Sequence, residues 1–394
     1  MSQLKVNTIR HTGASSDAVT LASDGTCIVK ATNNLSNRNV VVNGDFSVDQ
    51  RNSGSSVDLD AGGTSAYAAD RFVFFNYGSG ELDTDVQRLN NDAPEGFKYC
   101  NKLTVTTPES SGGTPAADDR LSMQYRAEAN TTDHFDFGQS TAKTFYISFW
   151  VKSSLTGNFG LALIGGGKNY CVLYPISAAN TWEKIEIKVP GPTSGSWLQG
   201  TNASIELKFG LYSGSNRVGP DQGITGTGSW QSGDSPQGTT GQVQLGGTNG
   251  ATWFITGLRM EVSDYGATDF EHRSYADELR RCQRYFQQIG ATGQDGTYTV
   301  NAAYLYDNGN KVATGYNPPV PFRATPTMTN GSTYLTVRSA STSTDVNSYN
   351  FIEVVAPSTW ISISGVLHTD AGNDGDLAVW TCPSNGLVQM SAEL

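Results

Sequence analysis

Residues 144–151 read TFYISFWV and residues 182–189 read WEKIEIKV. The first run is apolar on both sides of a two-residue alternation, as expected of a strand covered on both faces. The second alternates cleanly and predicts a strand with one wet face. Similar runs surround them: NVVVNGDFSV (39–48), KYCNKLTVTT (98–107), RLSMQYRAE (120–128), NYCVLYPI (169–176) and WFITGLRMEV (253–262). About ten short strands separated by Gly, Ser, Asn and Pro turns predict a mainly β fold, a large jelly-roll-like β-sandwich spanning residues 37–268.

Composition agrees with that reading. The chain has 394 residues, 16% of them charged, and 44 are glycine. Long charged residues, the usual material of exposed helices, are scarce, while 10% aromatics argue against disorder. The formal net charge is −11, and no basic patch for nucleic acid or an anionic membrane stands out in the β regions. No apolar run approaches the length of a membrane span, and MSQLKVNTIRHTG lacks the apolar core of a signal peptide. The five cysteines, Cys27, Cys100, Cys171, Cys282 and Cys382, show no metal-type spacing and read as small buried hydrophobes.

Outside the sandwich, residues 1–36 form a polar arm. LKVNTI, AVTLAS and GTCIVKAT are short strand-like segments, with Asp24-Gly25 as a hairpin signal. So small a set of strands needs a partner to bury anything, which predicts docking on another chain or another protein. Residues 291–394 read as a second β module entered through the proline-rich PPVPFRATPTM (318–328).

Between the β regions lies DFEHRSYADELRRCQRYFQQ (269–288). Ser274 is a candidate N-cap with Asp277 three residues on. Leu279, Cys282, Phe286 and Ile289 recur at helical steps, predicting one apolar stripe on a helix over 269–290. Such a stripe serves either as a linker packed on a sheet or as an oligomer interface around a shared axis.

The catalytic patterns searched for are missing. Asp58/Asp60, Asp83/Asp85, Asp118/Asp119 and Asp374/Asp376 read as solvated turn residues rather than a hydrolytic pair. His11, His134, His272 and His368 are scattered. Gly165-Gly166-Gly167-Lys168-Asn169 lacks the spacing of a phosphate loop, and DAGNDGD (370–376) fails the calcium-loop pattern at Gly372. The expectation is therefore a non-enzyme with no metal and no cofactor.

Surface recognition is the remaining chemistry, and sugars stack on aromatic rings. The long stretch SGSNRVGPDQGITGTGSWQSGDSPQGTTGQVQLGGTNG (213–250) reads as a structureless insertion, functional or mobile, with Trp230 in its middle. Trp230 and Trp197 are the leading candidates, being on loops, followed by Trp360 and Trp380 in the C-terminal module. Trp150, Trp182 and Trp253 fall on strands and read as core or edge packing.

LKVNTIRHTGASSDAVTLASDGT, NRNVVVNGDFSVDQR, SFWVKSS, TWEKIEIKVPG, ATWFITGLRMEVSDYGATDFEHRSYADELRRCQRYFQ and VPFRATPTM together resemble tail-fibre and other virion structural proteins of tailed bacteriophages, notably of marine and cyanobacterial phage type. The likeness covers most of residues 1–330. It implies a sandwich like that of carbohydrate-binding modules, a homotrimer, residence in the virion with the arm docked on other virion proteins, and attachment to a host cell-surface glycan. A capsid decoration or tail-accessory protein of purely structural role is the alternative, and a glycan-degrading tail enzyme a more distant one. Neither nucleic-acid binding nor membrane insertion is expected.

Overall fold

A computed structural model describes residues 6–10, 12–13, 19–21, 23, 27–29, 37–78, 80–111, 113–263, 266–290, 298–306, 311–330, 336–338, 343–355, 360–367, 377–382 and 387–394. The sandwich is two antiparallel sheets face to face. One sheet has six strands in the order Glu183–Val189, Phe145–Ser153, Thr252–Val262, Cys100–Thr107, Asp83–Leu89, Val57–Leu59. The other has seven, in the order Gln231–Ser232, Lys168–Ile176, Gly157–Gly165, Ala203–Ser213, Arg120–Glu128, Phe72–Tyr77, Thr64–Ala69.

Alternation explains which residues meet between the sheets. Phe145, Ile147, Phe149 and Val151 all point inward and are buried. Phe149 lies 5.1 Å from the rings of both Tyr174 and Phe209 on the opposite sheet. Trp253 closes the cluster at 5.7 Å from Phe209. Each such side chain contributes about 1.5–3 kcal/mol on burial, which makes this layer the main source of stability. On the edge strand Glu183–Val189, Ile185, Ile187 and Val189 are buried while Lys184 and Glu186 are exposed, the wet face that its alternation predicts.

The stretch 213–250 is not a structureless insertion. It folds back across the outer face of the seven-stranded sheet, where Val218–Gly219 and Gly238–Thr239 pair in parallel. Thr239 Oγ1 donates to the Val172 carbonyl at 2.9 Å. The sheet below it carries glycine where the layers touch. A Cβ on Gly160 would sit 2.7 Å from the Thr239 amide, and one on Gly210 would sit 2.7 Å from Gly238 Cα. The loop thus covers the outer face of the seven-stranded sheet over its strands Lys168–Ile176, Gly157–Gly165 and Ala203–Ser213. On the outer face of the six-stranded sheet Ser148, Lys152 and Thr256 are buried too, and the opening there is a pocket at Trp150.

The N-terminal arm contributes a three-stranded antiparallel sheet of Thr8–Ile9, Val19–Leu21 and Cys27–Val29. Asp24-Gly25 lies outside the described residues.

The helix is shorter than its stripe suggests. It runs Tyr275–Gln283, capped by the Ser274 hydroxyl, which accepts from the Asp277 amide at 3.2 Å. The chain then turns, and Phe286–Gly290 is a β-strand pairing antiparallel with Leu387–Ser391. Leu279 and Cys282 pack on Val42 and Val48. Phe286 is buried one element further on, with the Arg51 guanidinium 3.6 Å above its ring. Ile289 pairs through its backbone with Val388. The four residues are therefore not one helical stripe, and Cys282 and Phe286 are occupied inside the chain rather than presented to another copy. A period of three and four does not register the point at which a helix gives way to a strand.

Beyond that strand, the C-terminal module is a closed six-stranded barrel. Its order is Tyr298–Tyr306, Lys311–Tyr316, Trp360–Leu367, Ser343–Val355, Thr336–Arg338, Leu377–Cys382 and back to the first. The chain returns along Leu387–Ser391, so entry and exit strands lie side by side, with Thr327–Asn330 on the far side of the exit strand. The last residues end on the sandwich. Glu393 is paired with Arg51 at 3.1 Å and with Arg71, and Arg323 donates to the Glu393 carbonyl at 2.8 Å. Glu128 holds the start of the entry strand, accepting from Arg284 at 2.6 and 2.9 Å and from the Tyr285 hydroxyl at 2.8 Å.

Candidate functional site

Strand Phe145–Ser153 turns Tyr146, Ser148, Trp150 and Lys152 to the outer face of the six-stranded sheet, where Trp150 is half-buried and the other three are buried. Its neighbour Thr252–Val262 carries a β-bulge there, because Ser148 pairs with Arg259 and Trp150 with Thr256. Gly257 occupies the bulge at φ +65°. A Cβ on it would lie 2.7 Å from the Phe97 ring and 3.3 Å from Trp150. Glycine is thus required twice, by the left-handed backbone and by the approach of two aromatic rings.

Above the bulge is a pocket of about 300 Å³. Trp150, Phe97, Phe270 and His272 supply its aromatic walls. The last three form one cluster, with ring centres 5.0–5.2 Å apart. Lys184, Ser148, Arg259 and Asp269 supply the polar groups. Arg259 is 1% exposed. Its Nη1 donates to Thr268 Oγ1 at 2.9 Å and Nη2 lies 3.5 Å from Glu261, while Nε has no hydrogen-bond partner among the described residues. Burial holds its pKa below the ordinary arginine value against the pull of Glu261. Further along the face, the Lys152 ammonium sits 4.2 Å from the Phe254 ring centre and 2.5 Å from Asp92. The Trp182 indole donates to the Asp92 carbonyl at 3.2 Å. Rings beside convergent donors can stack a sugar ring and bond its hydroxyls.

The tryptophans singled out in the sequence lie elsewhere. Trp197 and Trp230 do come together, with ring centres 5.6 Å apart at 85°. Trp197 is buried by the protein, and Trp230 is half-buried against it. Trp197 is 9% exposed, packs 4.7 Å from Phe137 and lies over Gly138, Gly165 and Gly166. Trp230 lies 5.6 Å from Tyr170, and its indole donates to the Pro190 carbonyl at 2.7 Å. Trp197 lines a pocket of about 240 Å³ with Asp133, Asp136 and Leu198, but the pair chiefly anchors the covering loop. Trp360 and Trp380 lie on barrel strands, paired through the backbone with Val355 and with Asn301 and Val337. Their side chains are outside the described residues, as are Asp370, Asp374 and Asp376. Among the described residues, no group of three His, Cys, Asp or Glu is placed to hold a metal.

Trp253 is core, as its strand position suggests, but Trp150 is not. The signal for it was present. Tyr146, Ser148, Trp150 and Lys152 form the parity of their strand that includes polar residues, and Gly257 interrupts an apolar strand where a bulge belongs.

No family model and no curated protein matches the chain. Solved structures it resembles include a family 11 carbohydrate-binding module of a cellulosomal cellulase of Clostridium thermocellum, at 12% identity over 54% of this chain and 99% of that one, TM-score 0.25. TmCBM61 in complex with β-1,4-galactotriose matches at 11% over 59% and 100%, TM-score 0.25. The N-terminal cellulose-binding domain of a Cellulomonas fimi β-1,4-glucanase matches at 9% over 45% and 89%, TM-score 0.23. At such values these likenesses carry no argument about a ligand, and the sandwich stands on its own strand pairings.

Proposed function

We propose that this chain is a non-enzymatic virion structural protein of a tailed bacteriophage, a component of a trimeric tail fibre that attaches to a host-surface glycan through the Trp150 pocket on the outer face of the six-stranded sheet. The observation that carries the recognition half is the Trp150 pocket, with aromatic walls, Lys184 as an exposed donor and the buried Ser148 and Arg259 in its lining. Weak sites of this kind gain strength when several copies act together. The virion half rests on the sequence resemblance. So does the trimer, since Cys282 and Phe286 are buried within the chain and do not supply its contact.

Two measurements test the proposal. Wild-type protein should bind extracted host envelope glycan in calorimetry, and Trp150→Ala should weaken that binding at least about tenfold, a loss of 1.4 kcal/mol or more. Equal binding by the variant would remove the site. Labelling the chain on intact particles should place it on the tail. Label on the capsid would favour the decoration role instead.

A further inference from the structure

A second cavity adjoins the first. It is a groove of about 700 Å³ beside the helix, and His272 lines both cavities. Its walls carry four arginines, Arg273, Arg280, Arg281 and Arg284, against one acid, Asp277. Two of the arginines are neutralised, Arg273 by Glu278 at 3.3 Å and Arg284 by Glu128 at 2.6 Å. Arg281 gives one bond to Asn37 Oδ1 at 2.7 Å. Arg280 is exposed and has no partner among the described residues. Asp277 is held by the Ser274 hydroxyl at 2.7 Å. In a chain of net charge −11, this is a local cationic lining. Guanidinium groups present paired donors that match carboxylate, sulfate and phosphate oxygens.

We propose that the glycan bound at this face is acidic: a sugar ring occupies the Trp150 pocket and a carboxylate, sulfate or phosphate substituent is held in the adjoining groove by Arg280 and Arg281. The inference rests on reading the face as a sugar site. It deepens that reading by naming the ligand class. A polyanion is repelled by most of this molecule and focused onto the groove.

The test uses the full chain and matched probes: tetragalacturonate with its methyl ester, sulfated dextran oligosaccharide with its unsulfated parent, and inorganic phosphate as a competitor. An acidic probe should bind about tenfold or more tightly than its neutral counterpart, with an affinity that falls as salt rises. The double variant Arg280→Ala, Arg281→Ala should abolish the preference while keeping neutral-probe affinity within about twofold, because neither residue lines the aromatic pocket. Trp150→Ala should weaken both members of a pair. Which pair responds, and whether phosphate competes, separates a carboxylate from a sulfate or a phosphate. Equal binding of acidic and neutral members overturns the acidic assignment, and a preference that survives the double variant overturns the placement of the anionic group on Arg280 and Arg281; both leave the sugar face standing. Failure of every probe to bind overturns the acidic assignment, and host-glycan binding unaffected by Trp150→Ala would overturn the sugar face itself.

Discussion

Arg51 and Glu393 stand 342 positions apart in sequence and 3.1 Å apart in space. Arg71, with a side chain 2% exposed, grips the same carboxylate. Glu393 is thereby locked into the sandwich. Removing one member of a buried ion cluster costs more than the cluster contributes, because the partner charge is left uncompensated. Glu393→Gln is expected to destabilise the protein by about 3 kcal/mol, read as a lower urea midpoint. It should also speed proteolysis near Arg323, which donates to the Glu393 and Ala392 carbonyls. An unchanged midpoint would show that the C-terminus is not part of the fold's stability.

Asp70 belongs to the same cluster and gives it a pH dependence. Burial pushes its carboxyl up from 3.8 to about 6, against the pull of Arg51 and the Gln50 donors. The folded pKa exceeds the unfolded one. Between those two values the unfolded chain releases its proton first, so this group's contribution makes stability fall as pH rises from about 4 to about 6 and stay level above. The effect amounts to roughly 1.4 kcal/mol per pKa unit. Urea midpoints of wild type and Asp70→Asn between pH 4 and 7 isolate it. The difference between the two proteins should change across that window and be flat above it.

Gly257→Ala forces a side chain into left-handed backbone at a Cβ position 2.7 Å from the Phe97 ring. A cost of about 1–2 kcal/mol is expected from the backbone alone. The displaced Phe97 should also lower glycan affinity. A thermal melt and a calorimetric titration of one preparation check both, and unaltered affinity would separate the bulge from the site.

Trp230→Phe is the counterpart that spares the site. It keeps an aromatic ring against Trp197 and Tyr170 but removes the indole donor to the Pro190 carbonyl. A loss of about 1 kcal/mol is expected from the missing hydrogen bond, with glycan binding unchanged. Weaker binding at full stability would return Trp230 to the functional site.

Ser274→Ala removes the helix cap and should cost about 1 kcal/mol. Circular dichroism is a poor reader of nine helical residues in a β protein, so the urea midpoint is the measurement. Oligomeric state, followed by sedimentation, should not change, because the apolar side of this helix packs on Val42 and Val48.

Much of the architecture was legible from local pattern. TFYISFWV and WEKIEIKV announce a covered strand and an edge strand, and both lie where alternation puts them, since a period of two needs only the chain itself. The Ser274 cap was legible for the same reason, as its partner is three residues away. The stripe Leu279, Cys282, Phe286, Ile289 misleads because the helix ends at Gln283 and Phe286 starts a strand held by pairing with the distant Leu387–Ser391. The stretch 213–250 looked structureless because its partners are backbone groups of distant strands.

The sequence by itself determined a β-rich chain, the parity of its strands, one capped helix and the low charge of its surface. Only the tertiary structure decided which tryptophan is available. Trp230, in a glycine-rich loop, and Trp150, on an apolar strand, are both half-buried, but Trp230 packs against Trp197 and Tyr170 whereas Trp150 lines a pocket with Lys184 and His272. The physical reason is that burial is a property of pairs of surfaces. Strand periodicity sorts side chains onto two faces, but which face is later covered by a loop or left to solvent depends on contacts between residues far apart in the chain.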